Sequence, residues 1–258
     1  MPDEQSDRPQ SAAITFSLGE RTVSMQVQIP AGAVSPTRLL PLVHSLTDLV
    51  VDTTVSGLSE PVSCAAGCGA CCRQLVPLSG TEARAIHALV HAMPQPRRDV
   101  LLARFAADLE HLRTAGLLER LREFDRLPDS ERNALGLAYF RARLPCPFLE
   151  DESSSVHADR PVICREFLVT SDPRHCAEPS PLTTRRVRLD ARISRGLSAL
   201  DAAPTDKRSA TWVPLTLALE WTESQPAEST RPGAQLLQDF FGRLSGQDLE
   251  PIRAASDA

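Results

Sequence analysis

The chain has 258 residues, of which 42% are hydrophobic and 24% charged, and its formal net charge is −5 at pH 7. This length suits one large domain or two small ones, and the composition is that of an ordinary globular protein with a core of its own. The negative charge argues against nucleic-acid and anionic-membrane partners. The polar first ten residues lack the features of a signal peptide, and no apolar run reaches the roughly 18 residues of a membrane span. We therefore expect a cytoplasmic protein.

Two stretches near the N-terminus alternate between apolar and polar residues. The alternation covers residues 14–18 and 23–29, on either side of Gly19-Glu20. This period of two predicts a β-hairpin with one buried face. The polar residues 1–12 are expected to be a disordered tail.

Most of the remaining chain has apolar residues at helical spacing. Ser35-Pro36 is typical of a helix start, and Ser79 with Glu82 matches a capping box at the start of a second helix. A weak strand is predicted at Thr183–Leu189 and a loop at 201–210. Further helices are predicted at 101–112, 117–124, 130–144, 213–221 and 234–244. The fold class is therefore mainly α with a short N-terminal β-hairpin, as a single domain over 13–250 followed by a frayed tail at 251–258.

Seven cysteines fall in two regions of the chain: Cys64, Cys68, Cys71, Cys72, Cys146, Cys164 and Cys176. Four of them lie within nine residues, and cysteines in a reducing compartment are more often metal ligands or catalytic groups than disulfides. Short spacings let one turn direct several thiolates to a single ion, and Gly67 and Gly69 permit the backbone angles of such a turn. The spacing between Cys68 and Cys71 is the C-x-x-C of zinc and iron–sulfur sites. The pattern predicts a metal site in cysteine-rich loops between helices, holding zinc or iron as an ion or an iron–sulfur cluster.

The adjacent pair Cys71-Cys72 restricts the geometry of this site. Neighbouring side chains usually point apart. One of the two is therefore expected to bind a different metal ion, to face the surroundings of the site, or to bridge two ions.

Three motifs resemble the YkgJ-type cysteine-cluster family, which is described as zinc- or iron-chelating. They are C-x3-C-x2-C-C from Cys64, Cys146-Pro-Phe-Leu, and Arg160-Pro-x-x-Cys164-Arg-x-Phe167. The resemblance covers about residues 60–178. It implies that all seven cysteines, with Cys176 the least typical in its spacing, are metal ligands.

One position departs from the family pattern. Ser154 stands where family members often have a further cysteine, and a neutral hydroxyl is a much poorer ligand than a thiolate. The departure is interpreted either as an open site for a small molecule or as the decay of one of two metal sites. The coordination position is therefore expected to be empty, taken by water, or filled by Asp151, Glu152 or His157.

Other residues are secondary candidates. His175 adjoins Cys176, and His87 and His91 are spaced to face a common point on a helix, although without the H-E-x-x-H pattern of zinc proteases. Arg160 and Arg165 flank Cys164 and are expected to pair with thiolate charge or with acidic residues.

Three functional hypotheses remain open. The first is metal handling or redox sensing by a metal-binding protein. The second is a protein-modifying enzyme, since flagellin lysine methylases carry a similar cysteine cluster, although no methyl-donor site is recognisable. The third is a protein-interaction module in which the metal has only a structural role and the protein partner is unidentified.

Overall fold

A computed structural model describes residues 10–18, 21–177, 180, 182–201 and 210–245. The predicted turn at Gly19-Glu20, most of the predicted loop at 201–210 and the predicted tail at 251–258 lie outside these residues. The described part is mainly helical with an N-terminal strand pair, which confirms the predicted fold class at that level.

The N-terminal hairpin consists of β1 (Gln10–Leu18) and β2 (Arg21–Ile29), paired antiparallel. Ile14 lies opposite Met25 and Phe16 opposite Val23, so the predicted apolar positions share one face. That face packs on helices, because Val27 is 1% exposed and belongs to a core shared with them. The first strand begins at Gln10, so residues 10–12 are paired with β2 and are not part of a tail as predicted.

Six further strands of two residues each tie distant parts of the chain together. The pairs are β3 (Ala33–Val34) with β8 (Arg231–Pro232), β4 (Pro77–Leu78) with β7 (Val213–Pro214), and β5 (Leu149–Glu150) with β6 (Ser153–Ser154).

The described residues form nine α-helices, several of them preceded or followed by 3-10 turns. They are α1 (Leu40–Val55), α2 (Gly80–Ala92), α3 (Gln95–Thr114), α4 (Leu118–Arg122), α5 (Asp129–Arg141), α6 (Val162–Glu166), α7 (Ile193–Leu200), α8 (Ala218–Ser224) and α9 (Gly233–Ser245). The capping box at the start of α2 is present as predicted, with reciprocal hydrogen bonds between Ser79 and Glu82.

Three apolar cores hold these elements. The first lies between the hairpin and α1, α7 and α9, the second between α2, α3 and α8, and the third around α4, α5 and the end of α3. The second cysteine region is placed where the first two cores meet. Val162 belongs to the first core, whereas Phe148 and Val156 belong to the second.

Some local predictions were wrong. Thr183–Leu189 is not a strand, since its ladder is limited to one bridge between Val169 and Arg186. Val213–Pro214 is strand β7, so the helix predicted from residue 213 begins only at Ala218. Helix α7 was not predicted. Its eight residues include two serines and a glycine, which the folded protein buries together with the apolar residues of the helix. No helix among the described ranges is long and apolar enough to span a membrane.

Candidate metal centre

The first cysteine region is a tight loop that ends in a 3-10 turn. The backbone N–H of Cys68 donates to the carbonyl of Ala65, and that of Cys72 donates to Gly69. Gly67 has a φ of +81°, a conformation that favours glycine. Gly69 has an ordinary φ of −90°, but a Cβ atom there would lie 2.7 Å from the Leu149 side chain. Gly67 is therefore favoured by its conformation, whereas a side chain at Gly69 would have to displace the Leu149 and Glu152 side chains.

The β5–β6 hairpin covers this loop. The N–H of Gly67 donates to the Ser153 hydroxyl at 3.1 Å. Arg73 donates to both oxygens of Glu152 at 2.9 and 2.6 Å. Glu152 and Asp151 form the hairpin turn with positive φ angles, the conformation of a type I′ turn. The hairpin thus joins the two cysteine regions directly.

Cys146 and Cys176 are brought to the same loop by backbone contacts. The N–H of Cys146 donates to the carbonyl of Cys72 at 2.6 Å. Cys176 ends a 3-10 turn, Pro173–Cys176, that packs against the turn Ala70–Arg73. The N–H and hydroxyl of Ser63 bind the carbonyl of Val169, which draws the start of the loop to the chain just after α6.

Cys164 lies on α6, a helix of five residues anchored on three sides. Its first N–H, from Val162, donates to the buried carboxylate of Glu82 at 2.7 Å. Arg165 donates to Asp48 of α1 at 3.1 Å, which agrees with its predicted acidic partner. Glu166 accepts hydrogen bonds from the N–H and hydroxyl of Ser194 on α7.

All seven cysteines are free thiols, and electrostatic interactions link them into one network. Such interactions are strong only between close groups. By their effects on one another's pKa, the thiols fall into two sets of four that share Cys71. We call Cys64, Cys68, Cys71 and Cys176 the first thiol group, and Cys71, Cys72, Cys146 and Cys164 the second thiol group.

Several thiols of this network resist ionisation. Burial raises the pKa of Cys146 to about 11 and that of Cys176 to about 11, and it raises the pKa of Cys164 still further. The hydrogen bond between Cys71 and Cys72 raises the pKa of Cys71 and lowers that of Cys72. Apart from Cys72, these thiols favour the protonated form until a cation is present to stabilise the thiolates.

Arg160 affects the pKa of more of these thiols than Arg73 or Arg186 does. Its guanidinium lowers the pKa of Cys64, Cys71 and Cys164, which belong to both thiol groups. Its Nε atom is buried and has no hydrogen-bond partner within the described ranges. A free N–H donor beside several sulfurs fits the predicted pairing of Arg160 with thiolate charge.

No three cysteine sulfur atoms of the described residues lie at coordination distance from one another. Two thiolates on one zinc ion lie about 3.8 Å apart, given Zn–S bonds of about 2.3 Å. Over the described part of the chain, three ligand atoms all within 4.8 Å of one another occur in the set His87, His91 and Glu223, and not among the cysteines. Metal binding at the thiols would therefore have to draw the loops closer together.

The predicted substitute ligands do not converge with the thiols. Glu152 is held by Arg73, Asp151 is exposed in the hairpin turn, and His157 and His175 are exposed. Ser154 lies on β6, opposite Leu149.

An open groove of about 930 Å³ lies elsewhere on the molecule. Its lining includes Arg84, Arg122, Trp221 and Glu228, and contains none of the cysteines. The groove and the thiol network therefore do not form one combined site.

Sequence reasoning identified every cysteine but missed two acidic residues. Glu82 was recognised as a cap, but its hydrogen bond to Val162 depends on the packing of α2 against α6. Glu223 gave no local signal, since only the packing of α8 on α2 brings it to His87.

Comparisons of the chain with models of protein families, with curated proteins and with solved structures found no match.

Proposed function

We propose that this protein binds zinc or iron through its seven cysteine thiols and functions in metal handling or redox sensing. The observation that carries the proposal is the convergence of thiols from separate chain segments around Cys71. Cys146 is hydrogen-bonded to Cys72 through the backbone, and the turn bearing Cys176 packs against the turn bearing Cys71. These seven free thiols are hard to explain as ordinary core residues, because Cys64 is exposed and Cys176 is the only one of them in the buried class.

The number of thiols supports two metal positions. A structural zinc ion takes four ligands, and an iron–sulfur cluster is commonly held by four cysteines. Each thiol group has four members when Cys71 is counted in both. We infer that Cys71 bridges the two metal positions, which leaves no need for a ligand at Ser154.

The residues present fit such ions chemically. Thiolates select zinc and iron over hard cations such as magnesium and calcium. A bound ion would stabilise the thiolates and reverse the unfavourable effect of burial on their ionisation, while Arg160 offsets part of the remaining negative charge.

The exposure of Cys64 favours metal handling over a purely structural staple. Cys64 is exposed, so a competing ligand can reach the first thiol group from solvent, whereas Cys164 is shielded by α6 and its anchors. Zinc at the first group is therefore expected to transfer to a small chelator faster than zinc at the second. Equal, slow transfer of zinc from both thiol groups would favour a purely structural role of the metal.

The primary test is metal analysis of anaerobically purified protein together with its absorption spectrum. We expect about two zinc ions per chain in colourless protein, or iron with the broad visible absorption of a cluster. Cys71→Ser should lower the content at both positions, whereas Cys176→Ser and Cys146→Ser should each lower it at one. Only trace zinc and iron would refute the proposal, and equal metal content in all three variants would refute the ligand assignment.

A further inference from the structure

We propose that His87, His91 and Glu223 form a second kind of metal site, an exchangeable surface site for a divalent transition-metal ion. This site is separate from the thiols and does not depend on the proposed function. Its two histidines come from α2 and its carboxylate from α8.

The three side chains already lie close to coordination geometry. Their ligand atoms are all within 4.8 Å of one another, and His87 Nε2 lies 3.8 Å from Glu223 Oε1. Ligands on one zinc ion with bonds of about 2.1 Å lie about 3.4 Å apart. Rotation of exposed side chains supplies the difference, since His91 and Glu223 are both exposed.

A backbone hydrogen bond prepares His91 for metal binding. Its Nδ1 lies 2.8 Å from the carbonyl oxygen of His87, which can only accept. Nδ1 therefore carries the proton, and Nε2 keeps a free lone pair. Metal-binding histidines commonly have their second nitrogen fixed in this way.

The scaffold beneath the site is rigid. Ile86 and Val90 of α2 and Leu219 of α8 are buried in the second core, and Arg84 lies over the Trp221 ring at 5.5 Å. The two helices are therefore held in register by packing that lies directly under the three ligands. The ion would not have to organise the site itself.

The donor set determines the class of ion. Two imidazoles and one carboxylate suit zinc, cobalt, nickel or copper, whereas magnesium and calcium prefer sites made of oxygen. With three protein ligands, coordination positions remain open to water, as in zinc sites that exchange ligands. We expect weaker and faster binding here than at the thiols.

The experiment is a Co²⁺ titration of the full chain purified with zinc on its thiols, followed by visible absorption and by NMR of the histidine ring protons. We expect one additional equivalent of Co²⁺ without thiolate-to-cobalt charge-transfer bands, and paramagnetic shifts of two of the six histidines. His91→Ala and Glu223→Gln should weaken binding by about tenfold or more. His111→Ala, an exposed histidine on α3, serves as the matched control and should leave binding unchanged.

Three results would contradict the proposed histidine site. No additional equivalent, charge-transfer bands alone, or unchanged affinity in His91→Ala and Glu223→Gln would overturn the proposal. Because His91 and Glu223 are exposed, both variants should fold like the wild type, which circular dichroism checks. Metal analysis of the thiols is measured separately, so failure of this site and failure of the cysteine centre are distinguishable.

Discussion

Asp108 is a buried carboxylic acid on α3 with an unsatisfied oxygen. Asp108 is 8% exposed, and its Oδ2 atom has no hydrogen-bond partner in the described part of the protein. Burial raises the pKa of Asp108 to about 6, and its charge contributes to the raised pKa of Cys146. The residue is therefore a source of instability near the second thiol group at neutral pH.

Asp108→Asn should stabilise the protein at pH 7.5 and have little effect at pH 4. Burial raises the folded-state pKa of Asp108 from 3.8 to about 6, so the folded protein holds this proton more tightly than the unfolded chain does. The stability of the fold therefore falls as the pH rises through that range. The gain should be on the order of 1–3 kcal/mol in the free energy of unfolding. Urea unfolding at both pH values, with chelator present throughout, measures it. A variant less stable than the wild type at pH 7.5 would contradict this account.

At the scale of elements, α6 owes its position to neighbouring helices. Five residues are too few for a stable isolated helix. Its start is held by Glu82 of α2, and its end by Asp48 of α1 and Ser194 of α7. Glu82 thus serves two helices, because it also completes the capping box with Ser79. The orientation of Cys164 depends on these contacts.

Glu82→Ala should destabilise the fold and lower the metal content of the second thiol group. The substitution leaves the N–H of Val162 and the N–H and hydroxyl of Ser79 without their acceptor in a buried place. Each such group costs about 1–3 kcal/mol, so for the three groups we expect a loss of roughly 3–9 kcal/mol in chemical denaturation. Glu123→Ala removes an exposed glutamate and is the matched control. Similar stability in both variants would show that Glu82 does not anchor α6.

For the whole molecule, the proposed metals would connect segments that are far apart in sequence. The first thiol group joins Cys64 to Cys176, and the helices α2 to α6 lie between them in the chain. Closing so long a loop restricts the unfolded chain, and binding only to the folded state adds stability by mass action. The loops that carry the thiols should be the regions most affected by metal loss.

Removal of metal with a strong chelator should lower the Tm by roughly 20 °C, because each of the two ions at a thousand times its Kd contributes about 4 kcal/mol and each kcal/mol shifts the Tm by about 2–4 °C. Differential scanning calorimetry with and without chelator measures the change. Hydrogen exchange should increase at residues 64–72 and 146–176 and remain unchanged in the N-terminal hairpin. An unaltered Tm, or uniform loss of protection, would argue against metal held at the thiols.

Structural features that depend on residues close together in the chain could be predicted from the sequence. The alternation of residues 14–29 predicted the hairpin, and the pair Ser79 and Glu82 predicted the start of α2, because strand faces and helix caps depend on spacings of two to four residues. The predicted need for glycine at Gly67 is likewise confirmed by its positive φ, whereas the metal site that cysteine spacing indicates stays a prediction.

Relations between distant segments were decided only by the tertiary structure. Helix α7 is buried by packing against α9, although Ile193, Leu197 and Leu200 already have helical spacing. Among the described residues, Thr183–Leu189 pairs only through the single bridge between Val169 and Arg186. The sharing of Cys71 by two thiol groups, the anchor from Glu82 to Val162 and the approach of Glu223 to His87 all depend on how elements pack. Such contacts form because apolar faces are buried together, and no local spacing encodes which polar side chains then meet.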